Sequence, residues 1–287
     1  MSTTNGSYYI PHGSHWPIIG SIGLFVMLQG FGNYLNGSGF GSTVMLAGFL
    51  ILLVMVFGWF RTVINESEAG TYNMQVDTSF RWGMGWFIFS EVMFFAAFFG
   101  ALYYARVFSV PWLGGADPST SELLWNNWEA AWPTNGPGEL GGEFTLLDPW
   151  KIPALNTLLL LSSGVTITFA HWALKKQQRG ALVLWMLATV ALGATFLGFQ
   201  VYEYGQAYSD HHNLTLESGI YGSTFFMLTG FHGMHVTLGT IMLIVITLRC
   251  MKGHFTPERH FGFEAVAWYW HFVDVVWLGL FIFVYLL

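Results

Sequence analysis

The chain has 287 residues, 54% hydrophobic and only 9% charged, against about 25% charged in an ordinary soluble domain. Ten Lys+Arg against sixteen Asp+Glu give a net charge of −6, which offers no basic footprint for nucleic acid. A single cysteine, Cys250, excludes a disulfide framework and a thiolate metal cluster, and the low charge excludes a soluble enzyme or a disordered chain. The solvent of this sequence is a bilayer.

Seven stretches reach the roughly 20 apolar residues that a membrane-crossing helix needs. They cover 16–35, 43–60, 82–105, 153–174, 181–202, 219–248 and 263–287. Their apolar runs are continuous, whereas barrel strands alternate in segments of about 10 residues, so helices are predicted. The first charged side chain is Arg61, and no positive region precedes the first apolar run. That run therefore reads as a retained helix and not as a cleavable signal peptide. With alternating connections, eight basic residues (Arg61, Arg81, Lys175, Lys176, Arg179, Arg249, Lys252, Arg259) fall on one side and two (Arg106, Lys151) on the other. This asymmetry predicts a cytoplasmic N-terminus and an external, periplasmic C-terminus. The lack of a transit peptide and a start at Met1 suggest a bacterial inner membrane, and an organelle-encoded chain would look similar.

The expected organisation is residues 1–64 with the first two helices, a cytoplasmic connection over 65–81, and a five-helix bundle over 82–287. An external loop over 106–152 carries Asp117, Glu122, Glu129, Glu139, Glu143 and Asp148, with Trp112, Trp125, Trp128 and Trp132. It reads first as a lid whose tryptophans rest among headgroups. The sharper alternative is an acidic surface for a basic soluble partner.

Burying a charge in the membrane costs about 2.5–3.5 kcal/mol, which makes every intramembrane ionisable group a functional hypothesis. Glu91 lies roughly 15 Å along the helix from Arg81, near mid-bilayer. The segment around it has no cation, so the acid is either neutral or paired with a group on another helix. His232 and His235 on the sixth span are the expected hydrogen-bond partners. As an i, i+3 pair they could also ligate a metal or haem, but His171 sits near the cytoplasmic end of its span and His271 is the only other deep histidine, so no metal is expected. Small residues around them point to close helix packing. On the seventh span His271 and Asp274 share a helix face and read as an internal pair or a docking contact for another subunit. Glu203 and Gln200, at the outer end of the fifth span, read as interfacial. No nucleophile or Gly-rich loop accompanies any of these groups, so no catalytic residue is assigned.

Several segments together resemble subunit III of the haem-copper cytochrome c oxidases. They are Trp59-Phe60-Arg61 with Asn65-Glu66-Ser67; Ile88 to Phe95 around Glu91; Ser162-Ser163-Gly164-Val165-Thr166; Tyr202-Glu203-Tyr204; Thr229-Gly230-Phe231-His232-Gly233-Met234-His235; and the long run His260 to Trp277. The resemblance implies an all-α polytopic membrane protein of seven transmembrane helices, two plus five, with a V-shaped cleft that holds phospholipids. It implies that haem and copper sit in partner subunits I and II, where cytochrome c is oxidised and oxygen reduced. This chain would then hold no cofactor beyond structural phospholipids, while stabilising subunit I, supporting its proton uptake and protecting it from inactivation during turnover. By the same resemblance Glu91 is the family's carbodiimide-reactive carboxylate, and Trp59, Arg61, Glu66, Arg249, His254, Phe255 and Thr256 contact lipid. Three departures stand out: Asn65 where many relatives carry a base, Tyr72-Asn73 where animal members carry histidines, and an expanded external loop. Two rivals are the corresponding subunit of a quinol oxidase or nitric-oxide-reductase relative, which has fewer helices, and a proton-coupled transporter, whose inverted repeats are not found here.

Overall fold

The computed structural model describes residues 9–10 and 13–287; residues 1–8, 11 and 12, part of the expected N-terminal segment, lie outside the described residues. The described chain is helical with no strand. Its elements are α1 (Trp16–Leu35), α2 (Gly41–Glu68), α3 (Met74–Tyr104), a short α4 (Pro118–Leu124), α5 (Ile152–Lys175), α6 (Arg179–Ala207), α7 (Gly219–Lys252) and α8 (Phe261–Leu280). The ends of α3 and α8 loosen into π-helical turns, which carry these helices on to Ala116 and Leu286. Seven of the helices are long and apolar enough to cross a membrane.

Several helices outrun their apolar stretches. α2 continues to Glu68 and α3 begins at Met74, so the predicted connection over 65–81 is helical except for residues 69–73. α3 likewise extends into the predicted loop before Gly114 and Gly115 leave helical geometry. Hydropathy detects only the hydrocarbon-depth part of a helix, whereas the backbone hydrogen-bond ladder continues through polar residues in the headgroup region.

The chain divides into two compact units, one ending at Phe80 and the other running from Arg81 to Leu287. In the first, α1 and α2 pack as a hairpin whose only buried helical residues are glycines: Gly20, Gly23 and Gly30 on α1, Gly41 and Gly48 on α2. A Cβ on Gly30 would overlap the Met45 backbone, and one on Gly48 the Met27 backbone. These two positions let the helices approach closely enough to touch by main chain. Trp16 Nε1 donates to Thr62 Oγ1 at 3.1 Å and ties the ends together.

The second unit has a true core. Trp270 and Trp277 of α8 are fully buried, and their indole nitrogens donate to Ser163 Oγ (2.8 Å) and Thr157 Oγ1 (2.9 Å) of α5. Trp270 also fills the space left by Gly193 on α6 and Gly239 on α7, where a Cβ would come within 2.8 and 2.9 Å of the indole. α3 joins through rings: Phe94 meets Phe231 at 5.1 Å and Phe95 meets Phe272 at 6.0 Å. The loop after α4 is tied to the α6–α7 connection by Thr145 N to His212 O (2.8 Å) and Asn213 Nδ2 to Glu143 O (3.0 Å), and to the first turn of α7 by Phe144 stacked on Tyr221. Of the acids over 106–152, Glu122, Glu129, Glu139, Glu143 and Asp148 are exposed.

Candidate functional site

α3 and α7 bring together the two groups that the bilayer makes most costly. His235 Nε2 lies 2.9 Å from Glu91 Oε2. On its other side His235 Nδ1 lies 2.6 Å from the Phe231 carbonyl, four residues back on α7. A carbonyl only accepts, so Nδ1 carries a hydrogen and the neutral ring presents a lone pair to Glu91. The 2.9 Å gap must therefore contain one proton, on the acid or as a second proton on the ring. Phe94, Phe95, Tyr269 and Phe272 surround the imidazole, with ring centres 5.0 to 6.4 Å away. The His235 side chain is 6% exposed and that of Glu91 22%, so what opening the pair has is on the Glu91 side.

His235, not His232, is the partner of Glu91. His232 is buried, and its Nε2 donates to the Val273 carbonyl of α8 at 3.2 Å, with the ring against Trp277 and Phe196. Neither imidazole belongs to a group of three metal-ligating side chains among the described residues.

His271 Nδ1 and Asp274 Oδ2 stand 3.5 Å apart on one face of α8. Asp274 is buried and abuts Gly164 of α5, where a Cβ would collide with Oδ2. His271 Nε2 lies 3.4 Å from Thr168 Oγ1, so the pair braces α8 against α5.

Gln200 and Glu203, near the C-terminal end of α6, face the inside of the bundle. They are 5% and 1% exposed, and Glu203 Oε1 accepts the Tyr285 hydroxyl at 2.7 Å. Their place was legible in a pattern not used above: Met186, Thr189, Gly193, Phe196, Gln200, Glu203 and Ala207 form one buried stripe at spacings of three and four.

The residues matched to lipid contacts fall in both units. In the first, Trp59 and Arg61 are exposed on the closing turns of α2. There Glu66 Oε2 accepts the Tyr72 hydroxyl at 2.7 Å. Burial, and then the Glu66 carboxylate, push the Tyr72 phenol above its ordinary range. The departure at Asn73 has a structural use, since its Oδ1 accepts from Val76 N at 3.0 Å and caps α3. In the second unit, α7 stops at Gly253, whose φ of 76° suits glycine. Arg249 then stacks over Phe255 at 4.4 Å, followed by His254 and a turn in which Thr256 and Arg259 exchange backbone hydrogen bonds.

A multi-helix integral membrane protein whose deep acids are met by its own side chains, with aromatic and basic residues at the helix ends, is the class these observations define. The family model for cytochrome c oxidase subunit III matches residues 6–287. Cytochrome c oxidase subunit 3 of the liverwort Marchantia polymorpha is 42% identical over 279 residues, covering 97% of this chain and 95% of that one. The horse (Equus caballus) protein of the same name is 39% identical over 287 residues, 99% and 98% of the two chains, and that of carp (Cyprinus carpio) is 39% identical over 280. The chain belongs to the cytochrome c oxidase subunit III family, and so is one membrane-embedded part of an oxidoreductase complex.

Proposed function

We propose that the chain is a non-redox accessory subunit of a proton-pumping oxidase that passes electrons from cytochrome c to oxygen. Subunits I and II hold the haem and copper; this chain flanks subunit I, stabilises it, supports its proton uptake and carries phospholipid. The observation that supports this best is the pairing of Glu91 with His235 at 2.9 Å around a single proton, inside a wall of aromatic rings. Such a pair can hold or exchange a proton at its partly exposed carboxyl, and among the described residues neither member belongs to a cluster of three metal-ligating groups.

Two residue groups supply the lipid chemistry. Trp59 and Arg61 with Glu66, and Arg249, Phe255, His254 and Thr256, combine cations for phosphate with rings at headgroup depth. Eight of the ten basic residues share one set of connections, which orients the chain with its N-terminus in the cytoplasm and its C-terminus in the periplasm of a bacterial inner membrane.

The test is the phospholipid content of the purified oxidase, read by native mass spectrometry, with activity followed through many turnovers. Replacing Arg61 and Arg249 with Ala should lower the number of retained phospholipids and shorten active lifetime without changing the initial rate. Unchanged lipid content and lifetime would contradict the assignment.

A further inference from the structure

We infer that Asn156, Gln200 and Glu203 form a site for ordered water inside the bundle. The site lies toward the end where α5 begins and α6 stops, and it does not depend on the accessory-subunit reading.

Equal steps along three helices place its members. Ser163 of α5 and Gly193 of α6 meet at Trp270 of α8, whose indole donates to the hydroxyl and covers the glycine. Seven residues back on α5 is Asn156; seven forward on α6 and on α8 are Gln200 and Trp277. Successive spans alternate in direction, so all three steps run toward the same end. Seven residues are about 10.5 Å of helix and return a side chain to within about 20° of the same face. Asn156 and Gln200 therefore share one depth and face the interior, where they are 0 and 5% exposed. Trp277 is fixed in this layer by Thr157, the neighbour of Asn156, and by the Phe196 ring, one turn before Gln200. Glu203 follows one turn further on α6, and its Tyr285 partner has its ring 6.0 Å from that of Trp277.

The hydrogen bonds of this layer do not close on the protein alone. Among the described residues, neither polar atom of Asn156, neither of Gln200, nor Glu203 Oε2 makes one, and all five are buried. Exchanging the oxygen and nitrogen of either amide changes nothing, because both ends are unbonded. The Gln200 amide lies near the Tyr285 hydroxyl, but the one hydrogen of that hydroxyl goes to Glu203. Buried polar groups of this kind are normally met by protein or by ordered water, since an unmet one loses its hydration with no return.

The mixture of atoms selects the occupant. A metal ion would coordinate the oxygens but repel the two amide NH2 groups, which need an acceptor. Water both donates and accepts, and a buried water usually makes about three such bonds. Among the described residues no base pairs with Glu203, and a bare carboxylate at this depth is costly. Glu203 Oε2 is therefore a hydroxyl that donates to the water, which makes Glu203 a second proton-bearing acid, remote in sequence from Glu91 and on a different helix.

The test is an electron cryomicroscopy map of the purified wild-type oxidase at a resolution that shows water. It should contain ordered density within hydrogen-bonding distance of Asn156, Gln200 and Glu203, unchanged when choline replaces sodium and potassium in the buffer. A dry gap, amides bonded directly to each other, or density that leaves with the alkali ions would overturn the proposal. The infrared difference between wild type and Glu203→Gln should show a protonated-carboxyl band that shifts in D2O. A carboxylate band in that difference, or a band that D2O leaves in place, would also overturn it. The wild-type map decides the matter even if the variant fails to assemble.

Discussion

The α1–α2 hairpin and the bundle beyond Arg81 solve the same problem with opposite means. In the hairpin only glycines are buried on the two helices, and the apolar side chains of α2 point outward, as Leu50, Val54 and Phe57 do at 51, 64 and 60% exposure. In the bundle, tryptophans, phenylalanines and polar pairs fill the interior. Lipid tails are as apolar as leucine, so neither unit is held by hydrophobic transfer between helices. The hairpin relies on backbone approach and leaves its surface for lipid or other subunits. The bundle relies on interlocking rings and satisfied polar groups, and has the rigidity to hold a proton-bearing pair in place.

Four substitutions or conditions sharpen that contrast. The largest effect is expected for Trp270→Ala, which empties a fully buried site between Gly193 and Gly239 and removes the indole N–H that the Ser163 hydroxyl accepts. A loss of about 3–5 kcal/mol should appear in thermal unfolding of the purified complex. Gly48→Leu drives a side chain into the Met27 backbone, and overpacking typically costs about 1–3 kcal/mol. Proteolysis between α1 and α2 should then accelerate while unfolding of the bundle is unchanged; coupled loss of both would merge the two units.

Next comes Asp274→Ala, which removes the carboxylate beside His271 Nδ1 and opens a gap against Gly164, at about 1–3 kcal/mol. Glu91→Gln, by contrast, should leave assembly intact, since the amide can donate to His235 Nε2. It should also remove the infrared band of a protonated carboxyl; a carboxylate band lost instead would put the proton on the ring.

The smallest effect is one of pH. The Thr120 hydroxyl, with Ser119, holds the Asp117 carboxyl below its ordinary range at the start of α4, against the opposing effect of burial. A lowered value means the carboxylate's contribution is complete above the ordinary aspartate pKa and is lost as pH falls below it. Amide protection factors over residues 119–121, corrected for intrinsic exchange at each pH, should be flat near neutrality and fall only in acid, and Asp117→Asn should abolish that dependence.

Much of this was legible in the sequence. Seven helices, and an acid at mid-membrane needing a partner, follow from the cost of charge in hydrocarbon. What periodic hydrophobicity could not supply was depth and direction. It placed Gln200 and Glu203 near a helix end but could not say that their stripe faces the bundle. It offered His232 and His235 equally, and only the placement of α3 and α8 sends one ring to Glu91 and the other to the Val273 carbonyl. Helix lengths were underread because polar turns continue the ladder beyond the apolar run.

The central claim is that this chain serves the oxidase without holding its redox centres. The most direct test is the haem and copper content per complex of the oxidase purified with and without this chain, read by optical spectrum and elemental analysis. The account predicts identical haem and copper in both preparations; loss of a haem or copper equivalent when the chain is removed would contradict it.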